Sequence, residues 1–293
     1  MAESDKSQQR LSSGYHIGSV DTVISVEDVV RQAEQLGDGV SRDKIAQLAR
    51  HEPFVTIENL YAGYGKMQIL HDFKLQVAKG QSLCLIGPNG AGKSTVLHSI
   101  FGFTTIFSGH ILIGNASSQR DVTRLTPNNK LKQAKIAYIL QDKSVFPDMT
   151  VEENLWMGGY LMGTPEQAKQ AAERVFAKYE RLAARRKHAA KVLSGGERRL
   201  LEISRALVMQ PDVLLVDEPS IGLEPRFIDM VFEILHDLQH GEGKTIIMVE
   251  QNAKKGLEFA DIGYVIVSGE LAIAGPGDEL LTNPEVGRLF LGG

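Results

Sequence analysis

Residues 87–95 read "GPNGAGKST". Glycines let such a stretch curl until its N–H groups converge, and the Lys-Ser pair adds a cation and a hydroxyl. The spacing matches G-x-x-x-x-G-K-[ST], a loop that cradles phosphate between a strand and a helix. On this reading Gly87, Pro88, Asn89, Gly90, Ala91 and Gly92 wrap the phosphates of a nucleotide. Lys93 reaches the β- and γ-phosphates and Ser94 ligates Mg²⁺. Thr95 continues into a helix whose positive N-terminal dipole favours the anion.

Two later stretches share a second pattern. "VLLVDEPS" (213–220) and "TIIMVEQN" (245–252) are short apolar runs that end abruptly in polar groups. Such runs suit buried parallel strands that deliver side chains to the carboxyl edge of a sheet. Asp217 is the expected second Mg²⁺ anchor. Glu218, one residue on, is expected to point the other way along extended backbone, where it could polarise a water in line with the γ-phosphate. In the second run Glu250 is followed by Gln251 and Asn252. Between cradle and acids lies "LSGGERRLLEISRAL" (193–207), a Ser-Gly-Gly turn opening an amphipathic helix.

The elements that must hold these residues read as α/β with a mostly parallel sheet. From Phe54 onward "FVTIENL" alternates and "FKLQVAKGQSLCLIG" is β-rich. The segments "DVLLVDEP", "RFIDMVFEILHDLQ", "KTIIMVEQ" and "GYVIVSGELAIAG" then alternate strand and helix. A long helix is predicted over 165–187, with Thr164 as cap, Pro165 first and Gln167 closing a capping box. The cations Arg185, Arg186 and Lys187 would complement its C-terminal dipole.

Residues 1–52 differ from the rest. The first twenty or so are polar and read as disordered. Short helices follow, with Ser25 and Ser41 as caps and one apolar face each (Val26, Val29, Val30, Ala33, Leu36, then Ile45, Leu48, Ala49).

Composition narrows the class. A net charge of −4 argues against a general nucleic-acid binder. No apolar run approaches the roughly 18 residues needed to span a bilayer. "MAESDKSQQR" lacks the apolar core of a signal peptide. The single cysteine, Cys84, reads as a small core residue in a reducing, cytoplasmic setting.

The order of cradle, Gln141, Ser-Gly-Gly turn and acidic strand resembles the ATP-binding subunits of ABC transporters over about 54–293. The resemblance implies a P-loop NTPase fold with a RecA-like core, an antiparallel β subdomain and a helical subdomain at about 143–205. Residues 53–293 would form this domain and 1–52 an extension. It further implies that Ser194, Gly195, Gly196 and Glu197 form a signature that closes on the ATP of a partner subunit. Glu197 stands where that signature often has Gln. Gln141 matches the residue that meets Mg²⁺ and the attacking water. Tyr64 fits the aromatic that stacks on adenine, with Tyr61 as competitor. "SIGLEP" (220–225) resembles the D-loop, with Glu224 in place of the usual Asp. Gln251 takes the place of the switch His of the last catalytic strand.

"MTVEENLWMGGYL", "DEPSIGLEP", "VEQNA" and "RLFLGG" look like the LivF-like branch, ATPases of importers for branched-chain and other hydrophobic amino acids with urea and amide relatives. That branch often carries Glu at the position of Gln141. "LSGGERR" is also similar to the lipopolysaccharide-export ATPase, whose last catalytic strand ends in a His that this chain lacks. The resemblance implies ATP and Mg²⁺ as cofactors and ATP hydrolysis as the activity. Its implied partners are a second ATPase subunit (a LivG-like heterodimer favoured, a homodimer possible), permease subunits and, indirectly, a solute-binding protein. It implies a peripheral position on the inner face of the cell membrane. The other reading is an ABC-type ATPase of another system, such as lipopolysaccharide export or soluble iron–sulfur assembly.

Overall fold

The structure is a computed structural model that describes residues 40–141 and 144–290. The polar first twenty residues and the helix expected from Ser25 to Leu36 lie outside the described residues. The short helix after Ser41 is present as α1 (Arg42–Leu48), capped by Ser41, whose hydroxyl accepts from Lys44 N at 3.2 Å.

Two sheets carry the chain. The antiparallel sheet is built from β1 (Pro53–Tyr64), β2 (Met67–Ala78), β4 (Thr105–Ile113) and β5 (Arg120–Asp121), in the order β2-β1-β4-β5. The second contains β3 (Ser82–Ile86), β6 (Ile136–Ile139), β7 (Val213–Asp217), β8 (Thr245–Val249), β9 (Ile262–Val267) and β10 (Glu270–Pro276). Its order is β10-β9-β3-β8-β7-β6, parallel except for β10. "GYVIVSGELAIAG" is therefore a hairpin turning at Ser268 and Gly269, whose second strand closes the sheet edge.

The central strands β3, β7 and β8 are buried along their whole length, as strands covered on both faces must be. On one face Val213, Leu215, Ile247 and Val249 pack with Val96 and Leu97 of α2 (Lys93–Phe101) and with Val55 and Leu75 of the antiparallel sheet. On the other, Leu214, Val216, Ile246 and Met248 meet Val231 and Leu235 of α8 (Pro225–His236) and Leu257 of α9 (Ala253–Phe259). A third core joins α4 (Val151–Gly158), α5 (Pro165–Lys178) and α7 (Gly195–Leu207) through Leu155, Ala172, Phe176, Leu200 and Leu201. This mixture of a parallel core, an antiparallel sheet and a helical body is the P-loop NTPase architecture expected from the sequence.

The predicted helix over 165–187 is corrected. Its capping box at Thr164 and Gln167 forms, but α5 ends at Lys178 where Tyr179 leaves helical backbone (φ −118, ψ 82). A single turn, α6 (Glu180–Ala183), follows. Arg186 and Lys187 therefore lie beyond the helix. Both pair with Glu152, a carboxylate only 5% exposed, and Arg186 also holds Glu173 at 2.7 Å. Neutralising a buried acid, rather than a helix dipole, explains why cations cluster there.

Candidate nucleotide site

The cradle is positioned by β3, which ends at Ile86, and by α2, which begins at Lys93. Gly87 has φ 146, and a Cβ there would sit 2.2 Å from Ile266 O, so only glycine fits between the strands. Gly92 occupies the N-cap with φ 100, which aims the first N–H groups of α2 into the loop. Lys93 folds back over the cradle, donating through Nζ to Gly87 O at 2.9 Å and Pro88 O at 3.0 Å. Burial pulls its pKa down, while the nearby carboxylates of Glu218 and Asp217 oppose that pull.

Ser94 and Asp217 come together: Ser94 Oγ donates to Asp217 Oδ1 at 3.1 Å. The other carboxylate oxygen accepts from Tyr138 Oη at 2.7 Å. Tyr138 was not a sequence candidate. Its only signal was its place on β6, three residues before Gln141. Burial, then the Asp217 charge, pushes its phenol well above the ordinary range and keeps it a donor.

Glu218 does not continue an extended strand. β7 stops at Asp217, and Glu218 takes left-handed backbone with φ 43, its N–H donating to Val249 O at 2.9 Å. This corrects the expectation of strand alternation. Its carboxylate accepts from Gln141 Nε2 at 2.7 Å, so the kink joins the acid to the Gln141 loop. Burial chiefly, then the charges of Asp217 and Glu250, raise the Glu218 pKa, and Lys93 holds it back. A carboxylate so placed is a better proton acceptor than one free in water.

Tyr64 is 43% exposed and sits against α2, its Oη 2.5 Å from His98 Nδ1 with the rings nearly perpendicular. Tyr61 instead packs edge-on against His71. Gln251 lies exposed just past the tip of β8, with Glu250 buried beside it.

The signature residues stand apart from the cradle within one chain, and no hydrogen bond among the described residues joins the two. Ser194 caps α7 in a full capping box: Ser194 Oγ accepts from Glu197 N at 3.2 Å, and Ser194 N donates to Glu197 Oε2 at 3.0 Å. That N–H contact, joined by Arg185 at 3.4 Å, holds the Glu197 carboxyl below its ordinary range. Gly195 and Gly196 form the first turn. A further residue missed from the sequence is Arg199 on α7. It is buried, pairs with Glu202 at 2.8 Å and donates to Leu140 O at 2.8 Å, the carbonyl just before Gln141. Its sequence signal, a cation on an amphipathic helix, does not distinguish it from a solvated one.

With this geometry in place, likeness to known proteins becomes informative. The ABC transporter family model matches residues 70–221. The high-affinity branched-chain amino acid transport ATP-binding protein BraG of Pseudomonas aeruginosa is 41% identical over 230 residues, covering 78% of this chain and 96% of that protein. The probable branched-chain amino acid transport ATP-binding protein LivF of Archaeoglobus fulgidus is 37% identical, covering 80% and 96%. The crystal structure of the ADP conformation of an ABC transporter ATP-binding cassette superposes with a TM-score of 0.71 at 28% identity, covering 82% of this chain and 99% of that one. The chain belongs to the ABC transporter family as a nucleotide-binding ATPase subunit.

Proposed function

We propose that this chain powers an importer of branched-chain or other hydrophobic amino acids, with urea and amides as related cargo. The observation that carries the reading is the identity to BraG and LivF along nearly their whole length. The lipopolysaccharide-export alternative would call for His at position 251, where this chain has Gln.

In this reading the loop from Gly87 to Gly92 with Lys93, Ser94 and Thr95 holds the phosphates of ATP, and the face of Tyr64 stacks on adenine. To stack, Tyr64 would turn from its contact with His98. The Ser94 hydroxyl, the Asp217 carboxylate and the Gln141 amide oxygen form a hard, all-oxygen donor set that fits Mg²⁺. The bound ion would neutralise charge on the phosphate oxygens. Glu218 accepts the proton of the attacking water, and Gln141, already bonded to it, orients that water. Ser194, Gly195, Gly196 and Glu197 serve the partner's nucleotide: a helix N-terminus aimed at an anion acts across a head-to-tail dimer.

ATP binding would close the dimer and hydrolysis would reopen it, turning phosphate chemistry into a rigid-body switch of the permease. The helical body at about 143–205 is the docking element, and 1–52 is an extension of 53–293 with no role assigned. The favoured partner is a LivG-like chain rather than a second copy, on the inner face of the cell membrane. Among the described residues no helix is long and apolar enough to cross a membrane. Gln251 can donate and accept but carries no charge. The site built on this chain would then turn over slowly, with a His-bearing partner carrying most hydrolysis.

Pull-down of the tagged full chain from its native membrane tests the reading. Recovery of integral permease subunits and a second ATPase chain is expected. Recovery of the chain alone, still active as a soluble ATPase, would overturn it.

A further inference from the structure

The second acid-tipped strand leads elsewhere. Glu250 is 2% exposed and touches none of the groups assigned to phosphate. Its Oε1 accepts from Ser220 Oγ at 2.7 Å and from Asn252 N at 2.9 Å, and its Oε2 accepts from Ser220 N at 3.3 Å. All three partners donate, which matches the acceptor-only character of a carboxylate. A buried acid left unpaired would be costly, whereas one this fully hydrogen-bonded rigidifies what it joins.

What it joins is specific. Ser220 opens the turn that runs into the 220–225 segment. Asn252 caps α9, accepting from Lys255 N at 3.1 Å. Glu218 N already donates to Val249 O. The segment 217–220 is thus pinned to 249–252 at two places, on either side of Pro219. Packing confirms how closely this junction is built. A Cβ on Gly256 of α9 would stand 2.6 Å from Cys84 Sγ and 3.1 Å from Glu250 Cβ. The helix lies over the acid because that residue has no side chain.

We propose that Glu250 is a positioning residue for ATP hydrolysis. It fixes the turn that carries Glu218 to the turn that carries Gln251, so that both strand tips move as one body when the dimer closes. The proposal rests on the reading of Glu218 as proton acceptor and of 220–225 as the partner-facing segment. A residue that acts through geometry should alter turnover without altering nucleotide capture, because neither Lys93 nor the loop around it touches the tether.

The test compares full-length Glu250→Ala, Glu250→Gln, Ser220→Ala and the Glu250→Ala/Ser220→Ala pair by MgATP steady-state kinetics, thermal unfolding and amide hydrogen exchange. Expected are a kcat about tenfold or more lower for Glu250→Ala, in line with the cost of small misplacements, and a KM within about twofold of wild type. Glu250→Gln can keep both contacts of Oε1 and should recover part of the rate. The double variant should be no slower than Glu250→Ala, since the two residues form one unit. Exchange should rise at 218–223 and 250–253. An unchanged kcat in Glu250→Ala, a raised KM at full kcat, or additive losses would overturn the proposal. Should Glu250→Ala fail to fold, Ser220→Ala and Glu250→Gln, each losing one part of the tether, decide the same question. Exchange reports the tether without reference to chemistry, so an error in the role of Glu218 would show separately, as full activity in Glu218→Gln.

Discussion

Strands β7 and β8 lie side by side, pair in register from Val213 and Thr245 to Asp217 and Val249, and are each followed or closed by a carboxylate. Their acids nevertheless have opposite fates. Side chains alternate across a strand, so Asp217 shares the face of Leu215, the face covered by α2 and the cradle. The acid of β8 comes one step later, beyond Val249. It shares the face of Met248, the face covered by α8 and α9. One residue of register thus sends Asp217 to Ser94 and Tyr138, and sends Glu250 to Ser220 and Asn252. The same local grammar yields an acid bonded to the cradle's Ser94 on one strand and an internal clamp on the next. Glu218 would fall on the clamp's face by alternation. Its left-handed backbone takes it out of the strand pattern and into contact with Gln141.

This contrast can be broken from either side. The largest effect is expected from Lys93→Ala, which removes the cation that neighbours Asp217 and Glu218. ATP binding measured by titration, or hydrolysis where weak binding persists, should fall about 100-fold or more. A variant that bound and hydrolysed normally would detach the cradle from the β7 acids. On the β8 side, Gln251→His in the reconstituted complex should raise ATPase activity several-fold. No gain would show that Gln251 is an adequate neutral substitute and that the site is not impaired. The smallest effect is expected from Gly256→Ala, which crowds Cys84 and Glu250 but leaves the cradle alone. Thermal unfolding should report a loss of about 1–3 kcal/mol, the usual cost of overpacking. ATP affinity should stay within about twofold. A large loss of affinity would mean that packing around the Glu250 clamp also governs nucleotide capture.

Much of this site was legible in the sequence because its parts are local. The cradle is one contiguous loop, its glycines required by backbone geometry at Gly87 and Gly92. The caps at Ser41, Thr164 and Ser194 each depend on a neighbour three residues away. The strands β7 and β8 are continuous apolar runs. What stayed hidden depends on partners far along the chain. The break at Tyr179 leaves Arg186 and Lys187 to meet Glu152, about thirty-five residues earlier. Arg199 is set apart by the Leu140 carbonyl, and Tyr138 by Asp217. The role of Glu250 has no local signal and emerges only from the register of β8 against β7 and its bonds to Ser220. The left-handed turn at Glu218 has no side-chain signature, since it is imposed by the hydrogen bond to Val249.

The central claim is that Glu218, freed from the strand by its kink and held by Gln141, accepts the proton of the hydrolytic water. Measuring ATP affinity, ATP turnover and oligomeric state on one preparation of full-length Glu218→Gln, alone and with its partner chain, tests it most directly. The account predicts ATP affinity close to wild type, turnover reduced about 100-fold or more, and an ATP-dependent dimer that persists. Hydrolysis at the wild-type rate would contradict it.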